Sequence, residues 1–180
     1  YRRLTDWAKA SGRGTALMGQ EIERKWLITE LPADISGAMR RGEYSHSSIT
    51  QGYLCTDPVV RVRQDGGRWI LTCKGKGRLN RREDEFPLTK EAFDHLISKC
   101  DGIVLEKERY RIPASDDGSL LIELDIFHGC YEGLIYAEVE FPDEAAAGSF
   151  IPPDWFGREL TFEKGWSNAA LSLAKPQPLC

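Results

Sequence analysis

The chain has no run of 18 apolar residues, so the sequence offers no membrane-spanning helix. Its first 17 residues lack the apolar stretch of a secretion signal and instead carry Arg2, Arg3, Lys9 and Arg13. They read either as a short basic helix or, the favoured reading, as a flexible or non-native extension over residues 1–18 with Met18 the natural start. Histidine is scarce: His46, His95 and His128 are scattered and read as surface or structural positions. The five cysteines, Cys55, Cys73, Cys100, Cys130 and Cys180, form no CxxC and follow no regular spacing. An odd number without a secretion signal reads as reduced thiols and a cytoplasmic protein. Gly75-Lys76-Gly77 lacks the spacing of a phosphate-binding GxxxxGK[ST] loop and suits a turn at a hairpin end. There is no internal repeat or low-complexity block. Charge of either sign is in no great excess, 24 basic against 28 acidic residues, which argues against a general nucleic-acid or membrane-surface binder. It does not exclude a polyanionic ligand, because local placement matters more than the sum.

What is present is a chain of 180 residues, 41% hydrophobic and 29% charged, the size and composition of one globular domain. Short alternating runs dominate. Val59–Arg63 and Arg68–Lys74 flank Asp65-Gly66-Gly67 and read as a hairpin. Further extended runs cover 21–28, 47–55, 81–88, 103–113, 119–127 and 134–141. Thr89 is placed to cap a helix whose Phe93, Leu96 and Ile97 have helical spacing and which Asp101-Gly102 stops. An Ala-rich helix after Pro142 and a closing helix over 166–174 complete the reading, with a frayed tail at 175–180.

Side chains on a strand alternate between faces with period two. Glu21, Glu23 and Lys25 therefore share a face, as do Arg61 and Arg63, Glu83 and Glu85, Lys107, Arg109 and Arg111, Glu123 and Asp125, and Glu138 and Glu140, with Lys74 ending its strand. The opposite faces carry Ile22, Val60, Val62, Leu105, Leu124, Ile126, Val139 and Phe141. Any single pair is explained by a solvated face with weak ion pairs. The whole set is not, because like charges repeat along each strand and destabilise the sheet unless something neutralises them. Acidic blocks suit hard divalent cations such as Mg²⁺ or Mn²⁺. Arginine-rich blocks suit phosphate or carboxylate oxygens. A metal-bound polyphosphate meets both demands. A closed eight-stranded antiparallel β-barrel, charged face inward and helices packed outside, would surround it. Arg24 falls on the face opposite Glu23, Trp26 reads as core, and Arg111 lies near a strand end.

Glu21-Ile22-Glu23-Arg24-Lys25 resembles the ExExK signature of the CYTH domain, or triphosphate tunnel metalloenzyme, superfamily. Gln51-Gly52-Tyr53-Leu54, Arg61-Val62-Arg63, Thr72-Cys73-Lys74, Glu83-Asp84-Glu85, Glu106 to Tyr110, Glu123-Leu124-Asp125, Ala137 to Phe141 and the loop Ile151 to Gly157 extend the likeness over residues 19 to 173. The resemblance implies a mainly β (α+β) domain over 19–174, built as an eight-stranded tunnel that binds triphosphate with Mg²⁺ or Mn²⁺. It implies metal ligation by Glu21, Glu23, Glu123, Asp125, Glu138 and Glu140, with Glu83 and Glu85 in support. It implies phosphate binding by Lys25, Arg61, Arg63, Lys74, Lys107 and Arg109. Lys25 and Tyr53 resemble a dyad that orients or deprotonates the attacking water, and Lys107 a contact to the leaving phosphate. Lys25 as a plain phosphate contact and Tyr53 as a core or rim tyrosine stay open. The expected activity is hydrolysis of tripolyphosphate by a cytoplasmic monomer or homodimer, without nucleic acid or membrane. A class IV adenylate cyclase, a nucleoside or thiamine triphosphatase, or a binding module without turnover are the alternatives.

Overall fold

A computed structural model describes residues 22–74, 83–114 and 118–174. Residues 1–18, Glu21, Gly75-Lys76-Gly77 and the 175–180 tail lie outside them, as do the side chains of Lys74 and Glu83. Eight strands form one antiparallel sheet: β1 (Ile22–Leu27), β2 (Ser45–Thr56), β3 (Val59–Asp65), β4 (Arg68–Lys74), β5 (Glu83–Pro87), β6 (Asp101–Pro113), β7 (Leu121–His128) and β8 (Ile135–Phe141). Four short helices accompany it: α1 (Ala33–Arg40), α2 (Lys90–Ile97), α3 (Glu144–Ser149) and α4 (Asn168–Leu173). Thr89, Asp143 and Ser167 cap α2, α3 and α4, each accepting a hydrogen bond from the backbone N–H three residues on.

The strand order is β1-β8-β7-β6-β2-β3-β4-β5. Here the expected closed barrel is corrected: β1 and β5 are the two ends of the sheet, and among the described residues nothing pairs them. The physical reason is that the outer edge of β1 is already taken. Residues 157–161 run along it as a strap, with Trp26 bridged antiparallel to Glu159. The Leu27 N–H donates to the Arg158 carbonyl (2.9 Å), the Leu160 N–H to the Lys25 carbonyl (2.7 Å) and the Gly157 N–H to the Leu27 carbonyl (3.1 Å). An edge whose polar groups are satisfied this way offers no template for another strand.

A second correction concerns the helices. On the apolar side, Trp26, Ile112, Ile122, Leu124, Val139 and Phe141 form the main core, with Ala147 of α3 buried in it and Ile35 and Met39 of α1 against it. A second cluster sits on the charged side, where Tyr53, Val59, Leu105, Phe127 and Tyr136 pack with Leu160 and with Leu171 of α4. The closing helix thus lies across one end of the charged face rather than outside it. Each fully buried large apolar side chain stabilises by roughly 1.5–3 kcal/mol, so the two clusters hold the sheet from both sides.

Among the described residues Cys55, Cys73 and Cys100 are free thiols. No helix among the described residues is long and apolar enough to cross a membrane.

Candidate active site

Register brings the charged blocks together. Across β1 and β8, Glu23 faces Glu140 and Lys25 faces Glu138. Glu138 faces Glu123 across β8 and β7, and Asp125 and Glu123 face Arg109 and Arg111 across β7 and β6. On the other half, Tyr53 faces Arg61 and Gln51 faces Arg63 across β2 and β3. The register of β2 shifts around Tyr53 against both neighbours. Such irregularities re-aim side chains; here the Gln51 Nε2 donates to the Tyr53 hydroxyl at 3.2 Å, both residues buried. These strands bound a cavity of about 1390 Å³, whose lining includes Lys25, Tyr53, Arg61, Arg63, Lys107 and Glu138.

One half of the site neutralises itself. Lys25 Nζ lies 2.6 Å from Glu138 Oε1. Lys107 Nζ donates to Asp125 Oδ2 at 2.5 Å, with side-chain exposures of 1% and 0%. Arg109 donates from Nε to Asp125 Oδ1 and from Nη2 to Asp125 Oδ2, each 2.6 Å, from Nη2 to Glu138 Oε2 at 2.9 Å, and from Nη1 to Glu123. Burial alone would penalise every charge here. For Lys25, burial lowers the pKa but the Glu138 carboxylate beside it outweighs that, and the net shift is upward. Burial likewise opposes the ionisation of Glu138, yet Lys25 and Arg109 hold its pKa down at about 2. Arg109 is held well above its ordinary value, the Asp125 carboxylate overcoming burial, whereas Lys107 falls below its own because burial outweighs Asp125.

The other half is built on Arg61 and Arg63 of β3. Arg63 meets Glu85 only at 3.7 Å, and its buried Nε has no hydrogen-bond partner. Burial first, and Arg61 next to it second, lower the Arg63 pKa. Arg61 Nη2 donates to Thr72 Oγ1 at 3.1 Å, and the Thr72 hydroxyl lies 3.4 Å from Glu85 Oε1. Glu85 therefore steadies this half from β5. The sites read for Glu21, Lys74 and Glu83 fall outside what is described. Arg24 is on the outer side as expected, bonded to Glu159 at 2.8 and 2.9 Å.

Among the described residues no group of three or more His, Cys, Asp or Glu side chains is gathered as a cation cage. The donor chemistry nevertheless fits a hard cation: Glu23, Glu138, Glu140 and Glu123 put carboxylate oxygens on one face of three adjacent strands. Sequence reading gave Gln51 and Thr72 no role beyond their motifs and did not single out Glu159 or Thr161. The alternation Glu159-Leu160-Thr161, with Leu160 buried between two polar neighbours, was the available signal.

Fold and cleft together define a β-protein whose cleft sets an arginine-bearing half beside a set of hard-oxygen donors. The chain belongs to the CYTH domain family, which matches residues 19–172. It is 40% identical over 161 residues to the inorganic triphosphatase of Nitrosomonas europaea, covering 87% of this chain and 99% of that one. It is 35% identical over 158 residues to the inorganic triphosphatase of Acetivibrio thermocellus, covering 86% and 94%. Among solved structures it is similar to the crystal structure of the inorganic triphosphatase NE1496, with a TM-score of 0.66, 38% identity and coverage of 87% and 97%.

Proposed function

We propose that this protein hydrolyses inorganic triphosphate (tripolyphosphate) to pyrophosphate and phosphate with the help of Mg²⁺ or Mn²⁺. The observation that carries the reading is the Arg63 guanidinium, buried next to Arg61, with an unbonded Nε beside a polar cavity. A cation so placed is destabilised until an anion reaches it, and phosphate oxygens match the planar donor set of arginine. The inorganic triphosphatases of N. europaea and A. thermocellus support the choice of a phosphoanhydride over other polyanions.

Phosphoryl transfer asks for charge neutralisation, an in-line water and a stabilised leaving group, and little covalent chemistry of the protein. Water oxygen bonds to the terminal phosphorus as the bridging P–O bond breaks, and pyrophosphate departs with that electron pair. Arg61 and Arg63 bind the phosphate chain, with Lys74 assigned to the same task. A cation held by Glu21, Glu23, Glu123, Asp125, Glu138 and Glu140 would supply Lewis-acid charge to the phosphate oxygens and to the water. Lys25, 2.6 Å from Glu138 and lining the cavity, serves the terminal phosphate and the water that attacks it. Tyr53, anchored by Gln51, orients the water through its hydroxyl. Arg109 and Lys107 meet substrate by exchanging carboxylate partners for phosphate oxygens, Lys107 at the leaving group. The reading carries with it a cytoplasmic monomer or homodimer acting on a small molecule.

The test is turnover of tripolyphosphate, ATP and thiamine triphosphate by purified protein, each with Mg²⁺ or Mn²⁺. Phosphate and pyrophosphate from tripolyphosphate are expected. Cyclic AMP from ATP would replace the hydrolase with a cyclase, and no turnover of any of them would leave a binding module.

A further inference from the structure

Lys25 is held to the strap by its own main chain. Its N–H donates to Thr161 Oγ1 at 3.1 Å, and its carbonyl accepts from the Leu160 N–H at 2.7 Å. In an antiparallel ladder, a residue whose backbone groups point to one neighbour forms a non-hydrogen-bonded pair with the residue opposite on the other, and side chains are closest in such pairs. The strap therefore uses the Lys25 backbone and leaves its side chain to close on Glu138. The Thr161 hydroxyl can accept from Lys25 because its own proton is committed: it donates to Glu159 Oε1 at 2.7 Å. Glu159 in turn is gripped by Arg24 Nε and Nη2, while Arg24 Nη1 donates to the Ala147 carbonyl at 2.9 Å and the Phe150 carbonyl at 3.2 Å. Gly157 lets the strap come this near, since a Cβ there would meet the Leu27 carbonyl oxygen at 2.5 Å.

We propose that Thr161, oriented by Glu159 and Arg24, is a positioning residue that sets the place of the Lys25 ammonium in the cleft. This rests on the triphosphatase reading for its kinetic arm only. The strap makes the position of Lys25 depend on a polar relay reaching the far side of β1. A hydroxyl is needed at 161 and its methyl is not, so Thr161→Ser keeps the relay and Thr161→Val breaks it with little change of volume.

Two readouts test it. The first is hydrogen exchange of the Lys25 amide, which needs no turnover. Thr161→Val is expected to speed it about tenfold or more, the loss of roughly one hydrogen bond's worth of local stability, while Thr161→Ser keeps it near wild type. The second is tripolyphosphate hydrolysis. Thr161→Val is expected to lower kcat by about tenfold or more with KM little changed, as misplacement of a group without loss of ground-state binding does. Thr161→Ser should restore it, and Thr161→Val should cost nothing further in a Lys25→Ala background. Wild-type exchange at Lys25 in Thr161→Val, or kinetic losses that add across the double variant, would overturn the proposal. If Thr161→Val does not fold, Glu159→Gln, which keeps an acceptor for Thr161 but releases Arg24, must show the same pattern in weaker form, and wild-type values there overturn it. A wild-type protein that leaves tripolyphosphate intact would sink the triphosphatase reading, with the exchange arm still deciding the role of Thr161.

Discussion

Lys25 and Glu138 stand opposite each other on β1 and β8, and their side chains meet at 2.6 Å where Arg109 also reaches the same carboxylate. Removing one partner of a buried ion pair strands the other, which costs about 3–5 kcal/mol, more than the pair itself contributes. Glu138→Gln should therefore destabilise the fold by ~3 kcal/mol in chemical denaturation and abolish metal-dependent hydrolysis. A denaturation midpoint equal to wild type would remove Glu138 from the centre of the network.

Arg63 should behave in the opposite way. Burial and Arg61 lower its pKa, so at any pH below that range its charge is less favourable folded than unfolded. Arg63→Met should leave thermal stability unchanged or raised. It should weaken tripolyphosphate binding by about tenfold or more, a lost charge-assisted contact being worth roughly 1.5–3 kcal/mol. Calorimetric titration measures the second effect, and wild-type affinity would exclude Arg63 from the phosphate site.

Closure of the cleft by α4 depends on Gly102. Its φ is +69°, and a Cβ there would lie 2.0 Å from the Ser172 carbonyl oxygen in α4. Gly102→Ala combines backbone strain with a clash that only displacement of α4 relieves. A loss of ~2 kcal/mol or more is expected, read as a lower melting temperature together with faster exchange of the α4 amides.

Cys100 gives the pH dependence. Burial, with Asp101 adding to it, pushes its thiol up to about 11 from 9.0. A raised value means the folded protein holds the proton more tightly, so this contribution to stability is whole below pH 9 and is lost as pH climbs through about 11. Alkylation of Cys100 by iodoacetamide, followed by mass spectrometry, should keep accelerating up to about pH 11. A plateau reached by pH 9 would contradict the shift.

Much of the site is written in period two. Because strand side chains alternate, Glu23 with Lys25, Arg61 with Arg63 and Glu138 with Glu140 share a face in any fold that keeps them extended. Composition added that nothing but charge neutralisation could make such a face stable. Arg24 and Trp26 follow from the same rule and do lie on the outer side, Trp26 buried against Phe150 and Phe156. Thr161 and Glu159 were harder to see because their partners are 135 or more residues away, and no local pattern encodes a contact of that range.

Alternation and residue type were enough to define the charged face, its acidic and basic blocks and the ligand chemistry they ask for, because both are properties of neighbours along one strand. Three things depended on the folded chain. Register paired Lys25 with Glu138 and Arg109 with Asp125 and set Arg61 and Arg63 on the other half of the cleft, since which block meets which is a matter of strand order. The strap at 157–161 took the β1 edge and kept the sheet open, a competition for backbone hydrogen bonds that no single strand records. The side of the sheet on which α4 settles followed from Tyr53, Phe127 and Tyr136 leaving an apolar patch among the charges that Leu171 and Leu160 help to cover.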